Sequence, residues 1–242
     1  MGQISSYARL ADAFPQRLRR TFPAEHTIWH TELQSSVMSH IRSGFVKLIR
    51  RSASGEETLL QIVGPGEILC GYRPYCGGCY CCCAVTLTEV ALSSVPRRVL
   101  LDAIDCDAGF ARAFLDQTLT QSVKACARLE QFGYGHAEYH VAMLLSDLAR
   151  RVGKRTERGV ELALRLRRKD IANYCGTTVE TAIRALSALR KRGLVREDDK
   201  KITIVRLDEL ANISPLRHRA DREDEAATGS PADGLAGDRR RR

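Results

Sequence analysis

Asp170-Ile171-Ala172-Asn173-Tyr174-Cys175-Gly176-Thr177-Thr178-Val179-Glu180-Thr181-Ala182-Ile183-Arg184-Ala185-Leu186-Ser187-Ala188-Leu189-Arg190 reads as two short helices joined by a tight turn. Ile171, Ala172 and Tyr174 give the first helix an apolar face. Cys175-Gly176-Thr177 breaks it, because Gly176 can take a positive φ without steric cost. Thr177 and Glu180 have the T-x-x-E spacing of a capping box for the second helix, with Thr178 as the alternative cap. In that helix Ala182, Leu186 and Leu189 fall at helical spacing and are expected inside. Val179, Glu180, Ile183, Arg184 and Ser187 share the other side. Helix, glycine turn, helix is the layout of a DNA-reading helix-turn-helix, whose second helix enters the major groove. An ordinary helical hairpin has the same pattern.

The flanking residues favour the first reading. Arg190-Lys191-Arg192-Gly193 ends the helix with basic residues and a glycine. Lys200-Lys201-Ile202-Thr203-Ile204-Val205 follows an Asp-rich turn as the second strand of a hairpin wing. The chain of 242 residues has a formal net charge of +9. Residues 150–206 hold 17 Lys/Arg against 7 Asp/Glu, so the excess lies around the helix-turn-helix, the footprint of a phosphate-binding domain. Arg168 and Lys169 stand at its entrance, and with Thr178 and Ser187 they are the expected phosphate contacts.

Upstream, the period changes twice. From Val37 to Ile49 apolar residues fall in short runs broken by Ser43-Gly44. Ser52–Glu57 is a polar turn, Thr58–Val63 another run, and Gly64-Pro65-Gly66-Glu67 a second turn. Thr86–Ser94 is expected to be one further strand, so the segment predicts a compact β-roll. Ala8–Phe22 is expected to form a short helix ahead of it. Between Asp105 and Phe132, Phe110, Phe114, Leu119, Val123, Cys126 and Leu129 make a helical stripe long enough to pack on its copy in a dimer. Packing on its own domain is the alternative. Glu138–Val152 is a second amphipathic helix. From Leu216 periodicity is lost, and the segment ending in Arg239–Arg242 reads as a disordered tail.

Six of the nine cysteines fall in fourteen residues: Cys70, Cys76, Cys79, Cys81, Cys82 and Cys83. The lack of a signal-peptide pattern and of an 18-residue apolar run predicts a cytoplasmic protein with no membrane segment. In a reducing compartment such a cluster points to metal or redox chemistry rather than disulfides. Cys76-x-x-Cys79 has metal-ligand spacing. In an extended segment Cys81 and Cys83 face one way and Cys82 the other. The expected ligand set is therefore Cys76, Cys79, Cys81 and Cys83, with Cys70 and Cys82 as substitutes. The occupant is an iron–sulfur cluster of the [4Fe–4S] type, or else zinc, copper or another thiophilic metal or metalloid; thiol–disulfide switching, or packing alone, is a third reading. Cys106 is a further candidate, while Cys126 and Cys175 are expected in cores.

Roll, long helix and winged helix together resemble the bacterial CRP/FNR regulators over about residues 27–212. Ile41-Arg42-Ser43-Gly44 is similar to that family's I-x-S-G hairpin and Gly64–Glu67 to its L-x-x-G-[DE] turn. Asn173–Arg184 is close to the FNR-branch signature. The resemblance implies an α+β protein: a lead-in (1–26), a cyclic-nucleotide-binding-like β-roll (27–104), a dimerisation helix (105–135), a winged helix-turn-helix (136–212) and a tail (213–242). It implies a homodimeric transcriptional regulator, not an enzyme, that binds double-stranded DNA at a palindrome and works with RNA polymerase. By position Glu180 and Arg184 are its base readers. A glutamate accepts from cytosine N4 and an arginine forks onto guanine, each worth roughly 1–3 kcal/mol of discrimination. Val179 stands where the cyclic-AMP branch has arginine, which implies a TTGAT-like half-site. Ile183 replaces the FNR-branch serine and leaves the outer base open.

The family's effector pocket follows the segment Gly66-Glu67, where the cysteines stand. The Arg-Ser/Thr pair of cyclic-nucleotide binders is missing, which argues against cyclic AMP. No cysteine precedes Cys70, so the N-terminal cluster ligands of FNR itself do not transfer. The expected function is DNA binding controlled by the cysteine site in response to oxygen, nitric oxide or redox state. The rival is a thiol-redox or metal-dependent enzyme using the same loop.

Overall fold

The computed structural model describes residues 18–133, 135–198 and 201–213. The expected tail beyond Ile213, Tyr134, the tip of the wing turn and the first part of the lead-in helix lie outside them, while Ile213 itself is buried in the core of the winged helix rather than in a tail. Two four-stranded antiparallel sheets make the roll. One runs in the order β1 (Arg19–Phe22), β8 (Val90–Pro96), β3 (Val37–Ser43), β6 (Ile68–Leu69). The other runs β2 (Thr27–Trp29), β7 (Cys83–Thr86), β4 (Val46–Arg51), β5 (Glu57–Val63). Trp29, Ile41, Val46, Leu48, Val63, Leu69 and Leu92 fill the space between them.

Two expectations for the roll are corrected. Arg19–Phe22 is not helical but an edge strand paired with β8 from Arg19–Ser93 to Phe22–Val90, so the roll starts ahead of Thr27. The single strand expected over Thr86–Ser94 is two strands in different sheets. They are separated at Leu87–Glu89, where Gly44 (φ +82) comes so close that a Cβ there would sit 2.0 Å from the Glu89 carbonyl oxygen.

A short helix α1 (Tyr72–Cys76) interrupts the roll, and α2 (Arg97–Cys106) leaves it. The long helix α3 (Ala108–Gly133) starts after a break, with Asp107 Oδ1 accepting from the amides of Gly109 and Phe110 at 2.8 and 3.0 Å. The expected single start at Asp105 is thus divided, because the Asp107 carboxylate caps a new helix. Phe110 and Phe114 pack on Met38, Ile68 and Val95 of the roll end and on Leu100 of α2. Further along, Leu115, Leu119, Val123 and Leu129 face outward, and so does Cys126, which was expected in a core.

Helix α4 (Ala137–Val152) is capped by His136 and buries Val141, Leu144, Leu145 and Leu148. After it come β9 (Gly153–Thr156), β10 (Gly159–Leu162), α5 (Arg168–Cys175), α6 (Val179–Lys191), β11 (Val195–Asp198), β12 (Lys201–Ile204) and α7 (Leu207–Ala211). The sheet of this unit runs β11-β12-β10-β9, so the wing hairpin is extended by a second hairpin not read from the sequence. The core of this unit is continuous with the outer face of the roll, where Phe45, Ile49, Leu59, Ile62, Cys83 and Val85 join it.

Candidate nucleic-acid interface and thiol site

Helix α5 ends as the glycine predicts. Gly176 has φ 62 and ψ 39, the left-handed C-terminal position that favours glycine, and its amide donates to Ala172. Thr178, not Thr177, caps α6: its Oγ1 accepts from the Thr181 amide at 3.2 Å. The expected capping box is corrected, since the helix begins one residue later and Glu180 then stands outside the box position. Ala182, Ala185, Leu186 and Leu189 are buried against α4 and α5. That packing turns Thr178, Glu180, Ile183 and Arg184 to solvent, with Val179 and Ser187 half-buried beside them. Arg184 Nη2 lies 3.3 Å from Thr181 Oγ1. The Glu180 carboxyl is held below its usual range by its own backbone amide and the Thr178 hydroxyl, so it stays an acceptor.

Arg168 and Lys169 are engaged elsewhere. Arg168 Nη2 holds both carboxylate oxygens of Glu197 on β11, at 2.5 Å, and so ties α5 to the wing. Lys169 Nζ lies 3.8 Å from a Glu57 oxygen on the roll. After them Asp170 is buried, with Lys47 Nζ of β4 at 2.6 Å and Arg167 Nε at 3.0 Å. Burial works to raise the Asp170 carboxyl, but the hydrogen bonds from Arg167 and Lys47 outweigh it and hold the group ionised below its usual range. A third tie is Arg128 of α3. It donates to the carbonyls of Leu59, Leu60 and Tyr174, and its guanidinium carbon sits 4.0 Å from the Tyr174 ring centroid. Glu67 joins the roll to both helices: it accepts from the Gly64 amide at 2.8 Å, from Arg151 at 2.5 Å and from Lys124 at 3.4 Å.

The cysteines divide differently from the expected set. The Sγ atoms of Cys70, Cys81 and Cys82 all lie within 4.8 Å of one another, and they are the one such group with metal-ligating potential among the described residues. Cys76 and Cys79 are exposed, the latter with its thiol 3.9 Å from Gln34 Oε1. Cys83 points to the other side, with its Sγ 3.4 Å from the Thr31 amide, and packs in the core shared with the helix-turn-helix. The expected quartet Cys76, Cys79, Cys81, Cys83 is therefore not assembled. Residues 81–82 are bent rather than extended, so the alternation assumed for the run begins only at Cys83. Cys70 lies at φ 53, a left-handed backbone uncommon outside glycine.

Tyr72 Oη lies 2.8 Å from Cys81 Sγ, and the Trp29 indole donates to the Cys82 carbonyl at 3.1 Å. A hydrogen bond with Cys70, then burial, pushes the Cys82 thiol far up, so it is protonated in the absence of an ion. Gln121, Ala125 and Arg128 of α3 line the cleft in front of the trio. Cys106 is exposed and apart from it, and Cys175 is buried, its thiol pushed up to about 12.

Such a molecule is a winged-helix protein with a nucleotide-binding-type roll on a long helix. Residues 19–107 match the family described as the cyclic nucleotide-binding domain, and residues 140–213 the Crp-like helix-turn-helix domain. The chain is 27% identical over 190 residues to a "CRP-like cAMP-activated global transcriptional regulator" of Mycobacterium tuberculosis, covering 78% of this chain and 85% of that one. It is 27% identical over 175 residues to the "Anaerobic regulatory protein" of Aggregatibacter actinomycetemcomitans, covering 72% and 67%. FixK2 from Bradyrhizobium japonicum has the same fold, with a TM-score of 0.73 at 22% identity, covering 83% and 98%. The chain belongs to the CRP/FNR family of transcriptional regulators. Regulators of this family bind DNA and act as dimers, and no helix among the described residues is long and apolar enough to cross a membrane.

Proposed function

We propose that this protein is a sequence-specific DNA-binding regulator whose activity is controlled by a metal centre on the roll cysteines, an iron–sulfur cluster or a thiophilic metal, responding to oxygen, nitric oxide or redox state. It binds as a homodimer to a palindrome with TTGAT-like half-sites and works with RNA polymerase. The observation that carries the reading is the outward face of α6, where Glu180, Ile183 and Arg184 stand free of the core. Glu180 and Arg184 read the cytosine and guanine of the half-site, and Val179 and Ile183 lie against neighbouring base edges. Thr178 and Ser187 contact phosphate. Arg168 and Lys169 do so once released from Glu197 and Glu57. The relative named for anaerobic regulation supports an oxygen- or redox-linked signal.

An electrophoretic shift assay on a duplex carrying the palindrome tests the reading. Arg184→Ala should weaken binding by about 10-fold or more per half-site, the worth of a bidentate arginine–guanine contact. Replacing that guanine in the duplex should cost the wild type as much and the variant little. Equal binding of both proteins to both duplexes would sink the assignment. A metal-dependent redox activity that survives Arg184→Ala, in protein that shifts no DNA, would favour the enzyme instead.

A further inference from the structure

The thiol trio defines a narrower chemistry than a metal site in general. We propose that Cys70, Cys81 and Cys82 bind one soft, three-coordinate thiophilic ion per protomer, of the class of cuprous copper or trivalent arsenic, rather than a four-cysteine iron–sulfur cluster. This deepens the reading above and rests on it only for what the bound ion does to DNA affinity.

The three sulfurs already lie within 4.8 Å of one another. A planar cuprous ion with metal–sulfur bonds of about 2.3 Å holds three sulfurs about 4 Å apart, and pyramidal arsenic draws them somewhat closer, so the trio closes by less than the width of an atom. A cuboidal cluster carries its irons on separate corners, spreads its sulfurs further and takes four cysteines. Among the described residues no fourth cysteine joins the trio within 4.8 Å: Cys76, at the end of α1, and Cys79 are exposed, and Cys83 is turned into the opposite core. Nor does a histidine or carboxylate complete a tetrahedron around the trio among the described residues, which disfavours a structural zinc site.

The backbone around the trio is held at two points. Cys70 turns back in its left-handed conformation directly after β6. Cys82 is anchored through its carbonyl to Trp29, whose ring stacks on Tyr80 at 4.2 Å between centroids. Cys70 and Cys82 form a buried floor, and half-buried Cys81 opens on the cleft beside α3. Soft thiolate donors select soft ions. Binding involves no electron transfer. With arsenous acid, three sulfur–arsenic bonds form, three arsenic–oxygen bonds break, and the thiol protons leave in three waters. With cuprous ion, protons lost by the thiols pass to solvent.

The test uses the full chain, reduced, anaerobic and stripped by chelator. It is titrated separately with arsenite, with buffered cuprous ion, with zinc, and with iron plus sulfide. Native mass spectrometry should give one arsenic or copper per protomer, with three of the nine thiols lost to thiol titration. Cys81→Ser, at a half-exposed position, should lower that affinity about 100-fold or more while keeping the wild-type melting curve. The double variant Cys76→Ser/Cys79→Ser should bind within about two-fold of wild type. The proposal is overturned if Cys81→Ser binds normally, if the double variant loses binding, or if zinc outcompetes both soft ions. It is also overturned if iron and sulfide load as a four-iron cluster. DNA affinity measured with and without the ion separates the two readings: one ion on three thiols with unchanged DNA affinity leaves the site standing and removes its regulatory role.

Discussion

His40 is a histidine held neutral by its surroundings. It sits on β3 with only 3% of its surface exposed. Burial first and the nearby Arg42 charge second lower its pKa from 6.5 to about 4, against a backbone hydrogen bond involving Gly66 that works the other way. The consequence for stability has a definite sign. Above pH 6.5 both folded and unfolded chains carry a neutral ring. As pH falls from 6.5 to about 4, the unfolded chain takes up a proton that the folded one refuses, so stability is lost across that window and levels off below it. The shift corresponds to about 3 kcal/mol. Urea unfolding of the wild type through this range should show the loss, and His40→Gln should show less of it. Identical pH dependence in the two proteins would contradict the buried-neutral assignment. The thiols illustrate a different limit at this scale. The clustering of six cysteines is plain from the chain, but which three meet is not. Cys81 and Cys82 come together through a bend, and no periodicity rule describes a bend.

At the scale of elements, helix α3 divides its duties along its length. Its first turns bury Phe110, Ala113 and Phe114 in the roll, and its later turns present Leu115, Leu119, Val123 and Leu129 to the outside. An apolar row at this spacing suits a partner helix, since knobs of one helix fill holes of another. Val123 is 68% exposed, so Val123→Glu should leave the protomer folded. It should shift sedimentation from dimer to monomer and weaken binding to a two-half-site duplex by at least about 10-fold, because a lone protomer holds one half-site. A dimer that survives the substitution would move the interface elsewhere. The helix itself was legible from its stripe. Its start was not: the capping role of Asp107 splits α2 from α3, while the apolar period runs on across the break. The helix-turn-helix was the most legible element because every signal in it is local. Gly176 takes the left-handed turn, and the small and leucine residues of α6 face inward, with only the cap moved by one residue to Thr178. Strand β1 was the least legible. Arg19-Arg20-Thr21-Phe22 has no alternation, and it is a strand because β8 offers it an edge.

For the whole molecule, buried side chains tie the roll to the reader unit. Lys47 and Asp170 are 123 residues apart, and their side chains are 4% and 2% exposed. Removing one partner strands the other charge in the interior. Asp170→Ala should therefore lower unfolding free energy by about 3–5 kcal/mol, and Lys47→Met/Asp170→Leu should recover most of that. Denaturant unfolding of the set checks it; a double variant as weak as the single one would mean that the pair itself, not the stranded charge, stabilises the junction. Nothing local in either stretch announces this pairing. A lysine on a β-run reads as a solvent-facing residue until the strand acquires a neighbour.

Cys82 and Cys83 are consecutive in the chain, yet they belong to different interiors. The first faces the thiol cleft of the roll, and the second packs among Leu59, Ile62, Val85 and the residues of α4 to α6. The boundary between the thiol cleft and the core of the DNA-binding unit is then crossed by one peptide unit, about 3.8 Å from one Cα to the next. A rigid trans peptide transmits rotation as well as translation. A displacement of the backbone at Cys82 therefore has only the torsions of two residues in which to be absorbed before it reaches the wall on which the DNA-reading helices rest.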